Sequence, residues 1–296
     1  MRTWSDGKIV EGKAPLDSFS YPLHYSSPAA WEGIRAYVQV DGTCKVFQLK
    51  EHVARLRESA KILGYRIPYS DDDIVTACEE LVRQNENVDL YLRPIAFLRG
   101  DAEGIHEVRS KDLSLDIYCV PISKLHKDPE KGISMVISNV VRGYPQYQMQ
   151  AKTPANYAAL VGVRSLLDQT GAQDAFLMDN QGYVVEATVA NFFVVKGDVV
   201  MTPPNSGSIL PGITRQVIAE ILSDRAKMFS RYKKVPHIAE KNITKADIYT
   251  ADCVFLCGTY AEVVKVSEVD GRAIDGNDEY FKIVRDEYEA MVRGLR

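Results

Sequence analysis

The sequence predicts an α+β protein of two domains. Its 296 residues exceed what one hydrophobic core usually supports, since chains beyond ~250 to 300 residues tend to divide. The composition is globular, with 46% hydrophobic and 26% charged residues, and helical and strand patterns are both present. The polar, turn-rich run SKLHKDPEKG separates two halves. We therefore expect a small N-terminal domain over 1–121, a linker over 122–131 and a larger, β-rich domain over 132–296.

The N-terminal half is predicted to contain two helices followed by two strands. Apolar residues recur at steps of four and three in QLKEHVARLRESAKIL, which indicates an amphipathic helix with Arg55 beside its stripe. DDDIVTACEELVRQ predicts a second helix, because its three aspartates suit a helix N-terminus. LYLRPIAFL and LSLDIYCV predict strands. Pro94 indicates an edge strand or a bulge, since proline cannot donate to a sheet ladder.

The C-terminal half is predicted to interleave many strands with few helices. The strand candidates are SMVISNVV, DAFLMD, YVVEATV and NFFVV, and DCVFLCGTYAEVVKV predicts two more around a Gly-Thr turn. Helices are expected near Pro154, in ITRQVIAEIL, and in the C-terminal EYFKIVRDEYEAMVRGL.

The charge and the cysteines exclude several classes of function. A net charge of −4 gives no polybasic field for nucleic acid or anionic lipid. Five scattered cysteines form no zinc-like pattern with histidine, so a metal site is not expected. No run approaches the ~20 apolar residues a bilayer requires, and the N-terminus turns polar at once, which favours a cytoplasmic protein. The phosphate-loop, Rossmann and serine-hydrolase motifs are absent from the sequence.

Three places in the sequence carry groups that suit a ligand. Lys152 lies among apolar and small residues, where desolvation would make its amine a nucleophile, although most lysines are simply solvated. The LPGITR segment feeds a helix whose start would bind phosphate, although an ordinary capped start has the same pattern. Glu186 lies in an apolar strand and would need a cation if buried, or would face solvent if not. Together an amine, an anion site and an acid meet the requirements of pyridoxal phosphate.

At these residues the sequence resembles the branched-chain aminotransferase family, the fold-type IV pyridoxal-phosphate enzymes. The resemblance spans roughly residues 22–272 and implies a small α/β N-terminal domain and a larger, pseudo-barrel C-terminal domain. Seven segments carry it in the family's order: YPLHYSSPAAWEGIRAY, FQLKEHVARLRESAKI, YLRPIAF, AKTPANY, GYVVEATVANFFVV, TPP followed by LPGITR, and CGTYAEV.

The resemblance implies roles for individual residues at the cofactor. Lys152 would be the Schiff-base lysine and then the base and acid of the proton shift. Glu186 would face the pyridine nitrogen and keep it protonated, and Tyr157 would hydrogen-bond the phenolic oxygen. Without the family, Tyr157 would be interpreted as a core residue and Arg55 as an exposed helix arginine. The implied phosphate contacts are Arg55, Ile213, Thr214 and Thr259.

The resemblance also implies substrate contacts and marks departures from the family. Tyr91 and Arg93 match positions that recognise a substrate carboxylate, and the strand pattern independently places both on one face. Arg93 could equally form a structural ion pair. Trp31 stands where the family usually has Phe and would form an apolar wall. Tyr260 stands where the family typically has a small residue, and we expect it to narrow the pocket.

The implied activity is transamination between an amino acid and a 2-oxo acid by a ping-pong mechanism. The resemblance further implies a homodimer or larger homo-oligomer. One alternative keeps the scaffold for a different reaction, as in 4-amino-4-deoxychorismate lyase or D-amino-acid and amine transaminases. Another is a noncatalytic ligand-binding protein, which predicts loss of Lys152 or Glu186, and both are present. Pro154 stiffens the segment after the lysine, where the family commonly has glycines.

Overall fold

The chain divides by its contacts into two compact units. A computed structural model describes residues 2–13, 29–85, 88–100, 113–123, 128–142, 146–158, 160–205, 208–224 and 227–295. Unit 1 comprises Met1–Ser123, Gln150–Ala158 and Val292–Leu295, and unit 2 comprises Lys124–Met149 and Ala159–Met291. Lys152 and Tyr157, which the predicted boundaries assign to the C-terminal domain, lie in unit 1. Part of the predicted linker, 124–127, is outside the described residues.

Unit 1 is built on a sheet of seven described strands. Its strand order is β2-β1-β7-β6-β4-β5, and β3 also pairs with β6. All of these pairings are antiparallel. The strands are β1 (Arg2–Ser5), β2 (Lys8–Glu11), β3 (Ala29–Trp31), β4 (Ile34–Val38), β5 (Cys44–Val46), β6 (Leu90–Phe97) and β7 (Ser114–Pro121).

Two helices of unit 1 bury their apolar stripes against this sheet. Helix α1 (Leu49–Ile62) and helix α2 (Asp71–Arg83) confirm the predicted pair. The α2 start is held by a capping box, in which Ser70 and Asp73 satisfy each other's backbone N–H groups. The buried face of α1 is wider than its apolar stripe, because it also contains polar residues: His52, Arg55 and Ser59.

Pro94 lies in the interior of the sheet, so the expectation of an edge strand is wrong. Strand β6 pairs with β7 on one side and with β3 and β4 on the other. Glu32 N–H donates to the Pro94 carbonyl at 2.8 Å, but proline has no N–H to return. The missing bond falls between β3 and β4, and the interruption of these two strands accommodates the proline.

The N-terminal hairpin was not predicted. Strands β1 and β2 are joined by Asp6 and Gly7, both at positive φ (42° and 91°), with Ser5 paired to Lys8. This is the geometry of a two-residue hairpin turn, for which Asp-Gly is a strong sequence signal.

Unit 2 is built on a sheet of nine described strands. The strand order is β10-β9-β8-β15-β14-β11-β12-β13, with β16 beside β15. Its β8–β9, β8–β15 and β12–β13 pairings are parallel and the others antiparallel. The strands are β8 (Ile133–Val141), β9 (Asp174–Met178), β10 (Val184–Ala187), β11 (Asn191–Lys196), β12 (Val199–Thr202), β13 (His237–Glu240), β14 (Cys253–Gly258), β15 (Glu262–Val269) and β16 (Arg272–Ala273).

Except for the elements of four or five residues, the helices of unit 2 lie where the apolar periodicity of the sequence predicts them. None of the helices in the described ranges is both long and apolar enough to cross a membrane. The helical elements from residue 146 onward are α3 (Gln146–Met149), α4 (Ala155–Ala158, which belongs to unit 1), α5 (Val161–Thr170), α6 (Ile213–Ser223), a π-helical turn (Met228–Tyr232), α7 (Lys245–Tyr249) and α8 (Glu279–Val292).

Candidate active site

Lys152 lies in an irregular segment of unit 1, immediately before α4. Its main chain is held from two sides, since its N–H donates to Ser59 Oγ at 2.9 Å and its carbonyl accepts from Trp31 N–H at 2.9 Å. Asn156 Nδ2 donates to the Ala151 carbonyl at 2.8 Å and closes the turn beside the lysine. The segment is therefore fixed by side chains and by strand β3, although it belongs to neither a helix nor a sheet.

The amine of Lys152 faces two aromatic side chains. Its Nζ lies 3.0 Å from the Tyr157 hydroxyl and 4.1 Å from the centroid of the Trp31 ring. The Trp31 and Tyr157 rings are 5.4 Å apart. Electron-rich ring faces attract a cation. The lysine is thus only partly exposed and is directed at aromatic groups, contrary to the simpler interpretation of a solvated side chain.

Arg93 and Tyr91 lie together on one face of β6, as the strand pattern predicts. Arg93 Nη2 donates to the Tyr91 hydroxyl at 3.0 Å, and the guanidinium lies 4.4 Å from the Trp31 ring centroid. Gly33 permits this arrangement, because a Cβ there would come within 2.2 Å of the Tyr91 oxygen. Within the described ranges Arg93 has no carboxylate partner, and its buried Nε has no hydrogen-bond acceptor. The guanidinium can therefore receive an anion.

A buried polar cluster surrounds Arg55. Arg55 Nε and Nη2 donate to the two oxygens of Glu32 at 2.7 and 2.8 Å, and His52 Nδ1 lies 2.8 Å from Glu32. Burial alone would raise the pKa of Glu32, but the charge and hydrogen bonds of Arg55 and the hydrogen bond of His52 outweigh it and lower the pKa to about 2. Burial lowers the pKa of His52, so its neutral ring donates from Nδ1 to the carboxylate.

The cluster corrects one interpretation of the sequence and adds residues that the sequence did not reveal. Arg55 is buried, so it is not an exposed helix arginine. Neither Glu32 nor His52 was singled out. A signal existed for both: Glu32 interrupts the apolar run AAWEGIRAY, and His52, Arg55 and Ser59 recur three and four residues apart on one helix face.

In unit 2, Glu186 is buried and paired with a cation. Its Oε1 accepts from Arg142 Nε, and its Oε2 lies 3.4 Å from the Leu210 N–H. The alternative of a solvent-facing Glu186 is therefore wrong, because only 4% of the residue is exposed. Arg142 was not expected as the partner. A carboxylate has about four acceptor positions, so one such group can accept from several donors at once.

The start of α6 offers backbone N–H groups without a side-chain cap. Gly212 is the residue before the helix, and it has no side chain that could cap the first turn. A Cβ at Gly212 would come within 1.9 Å of Asn191 Oδ1, so this packing requires glycine. Ile213 and Thr214 are both buried. Such a helix start attracts an anion through its free N–H groups and dipole.

Thr259 and Tyr260 lie in the three-residue loop that joins β14 to β15. Gly258 pairs with Glu262 across this loop, and Glu262 has a positive φ of 60°. The side chain of Tyr260 is 44% exposed. The structure thus brings Lys152, Tyr157, Trp31, Tyr91 and Arg93 together in unit 1, whereas Glu186, the α6 start and this loop belong to unit 2.

These groups fit pyridoxal phosphate by their chemistry. Unit 1 supplies an amine with a tyrosine hydroxyl beside it and a buried arginine, and unit 2 supplies a buried carboxylate and an uncapped helix start. An aldehyde, a phenolic oxygen, a pyridine nitrogen and a phosphate require these partners. In the described part of the chain, no cluster of histidine, cysteine or acidic residues could hold a metal ion.

Comparison with known proteins decides the family. The family model for class IV amino-transferases matches residues 29–269. The chain belongs to the class IV aminotransferases. A putative branched-chain-amino-acid aminotransferase from Methanocaldococcus jannaschii is 35% identical over 284 residues, covering 93% of this chain and 90% of the relative.

Solved structures agree with this assignment. A branched-chain aminotransferase from Thermoproteus uzoniensis, crystallised with norvaline, matches with a TM-score of 0.90 and 33% identity over 99% of this chain and 95% of that chain. The branched-chain amino acid aminotransferase from Thermobaculum terrenum, in its PLP-bound holo-form, matches with a TM-score of 0.87 and 25% identity over 100% of this chain and 94% of that chain.

This chain therefore has the fold-type IV architecture predicted from its sequence, and it is a pyridoxal-phosphate-dependent transaminase. The comparisons do not favour the lyase, the D-amino-acid or amine transaminase, or the noncatalytic alternative.

Proposed function

We propose that this class IV aminotransferase moves the amino group between aliphatic, branched-chain-type amino acids and 2-oxo acids by a ping-pong mechanism. The observation that carries the proposal is the arrangement in unit 1, where the Lys152 amine faces Tyr157 and Trp31, and Arg93 also contacts the Trp31 ring without a carboxylate partner among the described residues. The names of the relatives, which specify branched-chain amino acids, support the substrate class.

The proposed cofactor contacts divide by chemistry. Pyridoxal phosphate supplies an aldehyde that condenses with amines and a ring that withdraws electrons from the neighbouring carbon. Lys152 would provide the amine, Tyr157 would donate to the phenolic oxygen, and Glu186, which is paired with Arg142, would accept from the pyridine nitrogen. The phosphate is assigned to Arg55, the amides of Ile213 and Thr214, the Thr214 hydroxyl and Thr259.

Lys152 is also the proposed proton carrier. Its Nζ would accept the proton of the substrate α-carbon and later give it up, which requires the amine to be unprotonated when it accepts. Tyr157, 3.0 Å away, fixes the direction of the amine. Trp31 covers one side of Nζ and reduces its access to water.

Arg93 and Tyr91 are the proposed carboxylate site. A planar guanidinium suits a carboxylate, and Arg93 has a buried Nε that none of the described residues accepts from. The arginine also contacts Trp31, so an apolar surface adjoins the carboxylate site. A substrate with one carboxylate and an aliphatic side chain matches this pairing. Tyr260 is the residue proposed to limit the size of that side chain.

The decisive experiment is a single-turnover panel of amino donors with the holoenzyme. Each donor is mixed with enzyme in the absence of a 2-oxo acid, and the loss of the visible absorbance is followed. Valine, leucine, isoleucine and norvaline are expected to react faster than alanine, aspartate and D-leucine. Reaction with D-leucine alone, or with no amino acid, would reject the proposal.

A covalent test identifies the lysine independently of substrate. Borohydride treatment of the holoenzyme should fix the chromophore on the peptide that contains Lys152, as read by mass spectrometry. Lys152→Ala is the matched control and should remain unlabelled. Label on another lysine would overturn the assignment.

We further propose that the enzyme acts in the cytoplasm as a homodimer or larger homo-oligomer, and that the chain folds as the predicted domains over 1–121 and 132–296, with the segment 150–158 of the second packed within unit 1. The support is the resemblance together with the polar composition of 122–131. Light scattering of the purified holoenzyme would test the assembly, and a monomer at micromolar concentration would contradict it.

A further inference from the structure

Ser59 is a fully buried polar residue that the proposed chemistry does not use. It lies on the inner face of α1, in the same row as His52 and Arg55. Its Oγ accepts the main-chain N–H of Lys152 at 2.9 Å. The contact joins residues 93 positions apart in the sequence, so it is not a by-product of local chain geometry.

The Lys152 peptide depends on this contact because the segment has no regular structure. In a helix or sheet, a ladder of backbone bonds would fix the peptide. Here the lysine N–H goes to the Ser59 side chain, and only the carbonyl is bound by backbone, through Trp31 N–H. One serine hydroxyl therefore holds the N–H side of the Lys152 main chain, to which the reactive side chain is attached.

We propose that Ser59 is a positioning residue for Lys152: it fixes the lysine main chain so that Nζ is held between Tyr157 and Trp31. The inference rests on the proposed role of Lys152 and goes beyond it. Rates are sensitive to such anchoring, since a misplacement of about 1 Å at a reacting group can cost roughly 100-fold. Ser59 itself touches neither the substrate nor the cofactor in this proposal.

The test compares the holoenzymes of Ser59→Ala and Ser59→Cys with the wild type. Cysteine has nearly the size of serine but is a weak acceptor, so it keeps the packing if the alanine variant fails to fold. Ser138→Ala in unit 2 is the matched control, because Ser138 is also buried and its Oγ also accepts a backbone N–H, from Val140 at 3.0 Å. Ser59→Thr restores a hydroxyl.

Two readouts are combined. Hydrogen exchange in the peptide that covers residues 150–158 reports the anchor directly and does not depend on activity. Single-turnover rates with saturating leucine and with α-deuterated leucine report proton transfer by Nζ. We expect exchange at least about 10-fold faster and proton transfer about 10- to 100-fold slower in the Ala and Cys variants, with nearly unchanged leucine affinity. Ser138→Ala should change neither, and Ser59→Thr should recover part of both.

The outcomes separate this inference from the function on which it rests. Unchanged exchange in both Ser59 variants would overturn the anchor. Faster exchange with an unchanged rate of proton transfer would overturn the positioning role. If Lys152→Ala still transfers the proton at the wild-type rate, the proposed function of Lys152 fails instead, whatever the Ser59 variants show.

Discussion

At the scale of single residues, mutation can separate the structural pairing of Glu186 from the chemical role proposed for it. It is buried with Arg142, and a buried ion pair that loses one partner leaves an uncompensated charge. We expect Glu186→Gln to lower the free energy of unfolding by about 3 kcal/mol. We also expect single-turnover proton transfer to slow by about 100-fold or more, because a charge that stabilises the transition state is lost. Chemical denaturation and stopped-flow absorbance measure the two effects.

A double variant shows which effect is which. Changing Arg142→Met together with Glu186→Gln removes both charges, so part of the lost stability should return. The rate should not return, since the carboxylate proposed to face the pyridine nitrogen is still missing. Recovery of the rate with the stability would mean that Glu186 acts only through the packing of unit 2.

Tyr260 is the residue expected to set the size of the substrate. Its side chain stands in the three-residue loop after Gly258 and is 44% exposed, so its removal should leave the core intact. Tyr260→Ala is expected to shift the ratio of kcat/KM for large over small aliphatic donors by about 10-fold toward the large ones. The affinity for pyridoxal phosphate should stay nearly constant. If Tyr260→Ala weakens catalysis and pyridoxal phosphate binding to the same extent, the residue is structural.

Residues whose burial is costly without a partner could be predicted from the sequence, but their partners could not. Glu186 stands out because it interrupts an apolar run, and Lys152 stands out because it lies among apolar and small residues. Arg142 lies 44 residues from Glu186, and Ser59 lies 93 residues from Lys152, so no local pattern connects them. Arg55 became a candidate for phosphate binding only through the resemblance, because a helix arginine is ordinarily exposed.

At the scale of elements, the polar face of α1 predicts a loss of stability in acid. Burial lowers the pKa of His52 below its ordinary 6.5, so the unfolded chain binds this proton first and stability falls as the pH drops below 6.5. Glu32 titrates at about 2 instead of 4.5, so stability falls again between pH 4.5 and about 2. The second decline corresponds to a loss of about 3 kcal/mol in the free energy of unfolding, at 1.36 kcal/mol per pKa unit.

Variants of the same element assign the two steps. Urea unfolding of the apoenzyme at several pH values should show that His52→Gln flattens the decline below pH 6.5. Glu32→Gln should flatten the decline below pH 4.5, while lowering stability at neutral pH because Arg55 stays buried. Glu51→Gln, on the exposed face of α1, is the control and should keep the wild-type slopes. A wild-type slope in Glu32→Gln would place the titrating group elsewhere.

The start of α6 depends on the absence of a side chain at Gly212. Its φ of −76° is open to any residue, so the requirement is steric and comes from Asn191. Gly212→Ala is expected to displace Asn191 or the helix start, to cost about 1–3 kcal/mol and to weaken pyridoxal phosphate binding about 10-fold. Fluorescence titration of the apoenzyme measures the binding.

Gly162→Ala provides a matched change in unit 2. Gly162 lies in α5, and a Cβ there would have only an ordinary contact, 3.8 Å from Val140. Alanine should therefore leave cofactor binding unchanged and raise stability by up to about 1 kcal/mol. Equal weakening of binding by both variants would argue against a phosphate at the α6 start.

The elements with a long apolar periodicity could be predicted from the sequence, whereas the strand features that depend on which strands pair could not. Helices α1, α2, α6 and α8 each present an apolar stripe of about three turns, which the sequence shows directly. Pro94 misled because the sequence does not show which strands flank β6. The β1–β2 hairpin was not predicted despite its Asp-Gly turn, because strands of four residues are too short to show a clear alternation.

At the scale of the whole molecule, the cysteines report on the two units separately. Cys78 and Cys119 are buried in unit 1, and Cys253 and Cys257 are buried in unit 2. Burial raises the pKa of all four thiols to about 12, so they should be inert in the native protein. Cys44 is partly exposed and is the thiol among these five expected to react without unfolding.

This distribution makes thiol labelling a test of how the cofactor is held. A ligand that binds only the folded state stabilises it by about 2.7 kcal/mol at a concentration 100 times its Kd. If residues of both units bind pyridoxal phosphate, the cofactor should raise the urea midpoint for alkylation of both cysteine pairs, as read by mass spectrometry after a short pulse. Pyridoxal, which lacks the phosphate, should give a smaller shift. Protection of the unit 1 pair alone would assign the cofactor to Lys152 and Arg55 without Glu186 or the α6 start, and the division of contacts proposed above would be wrong.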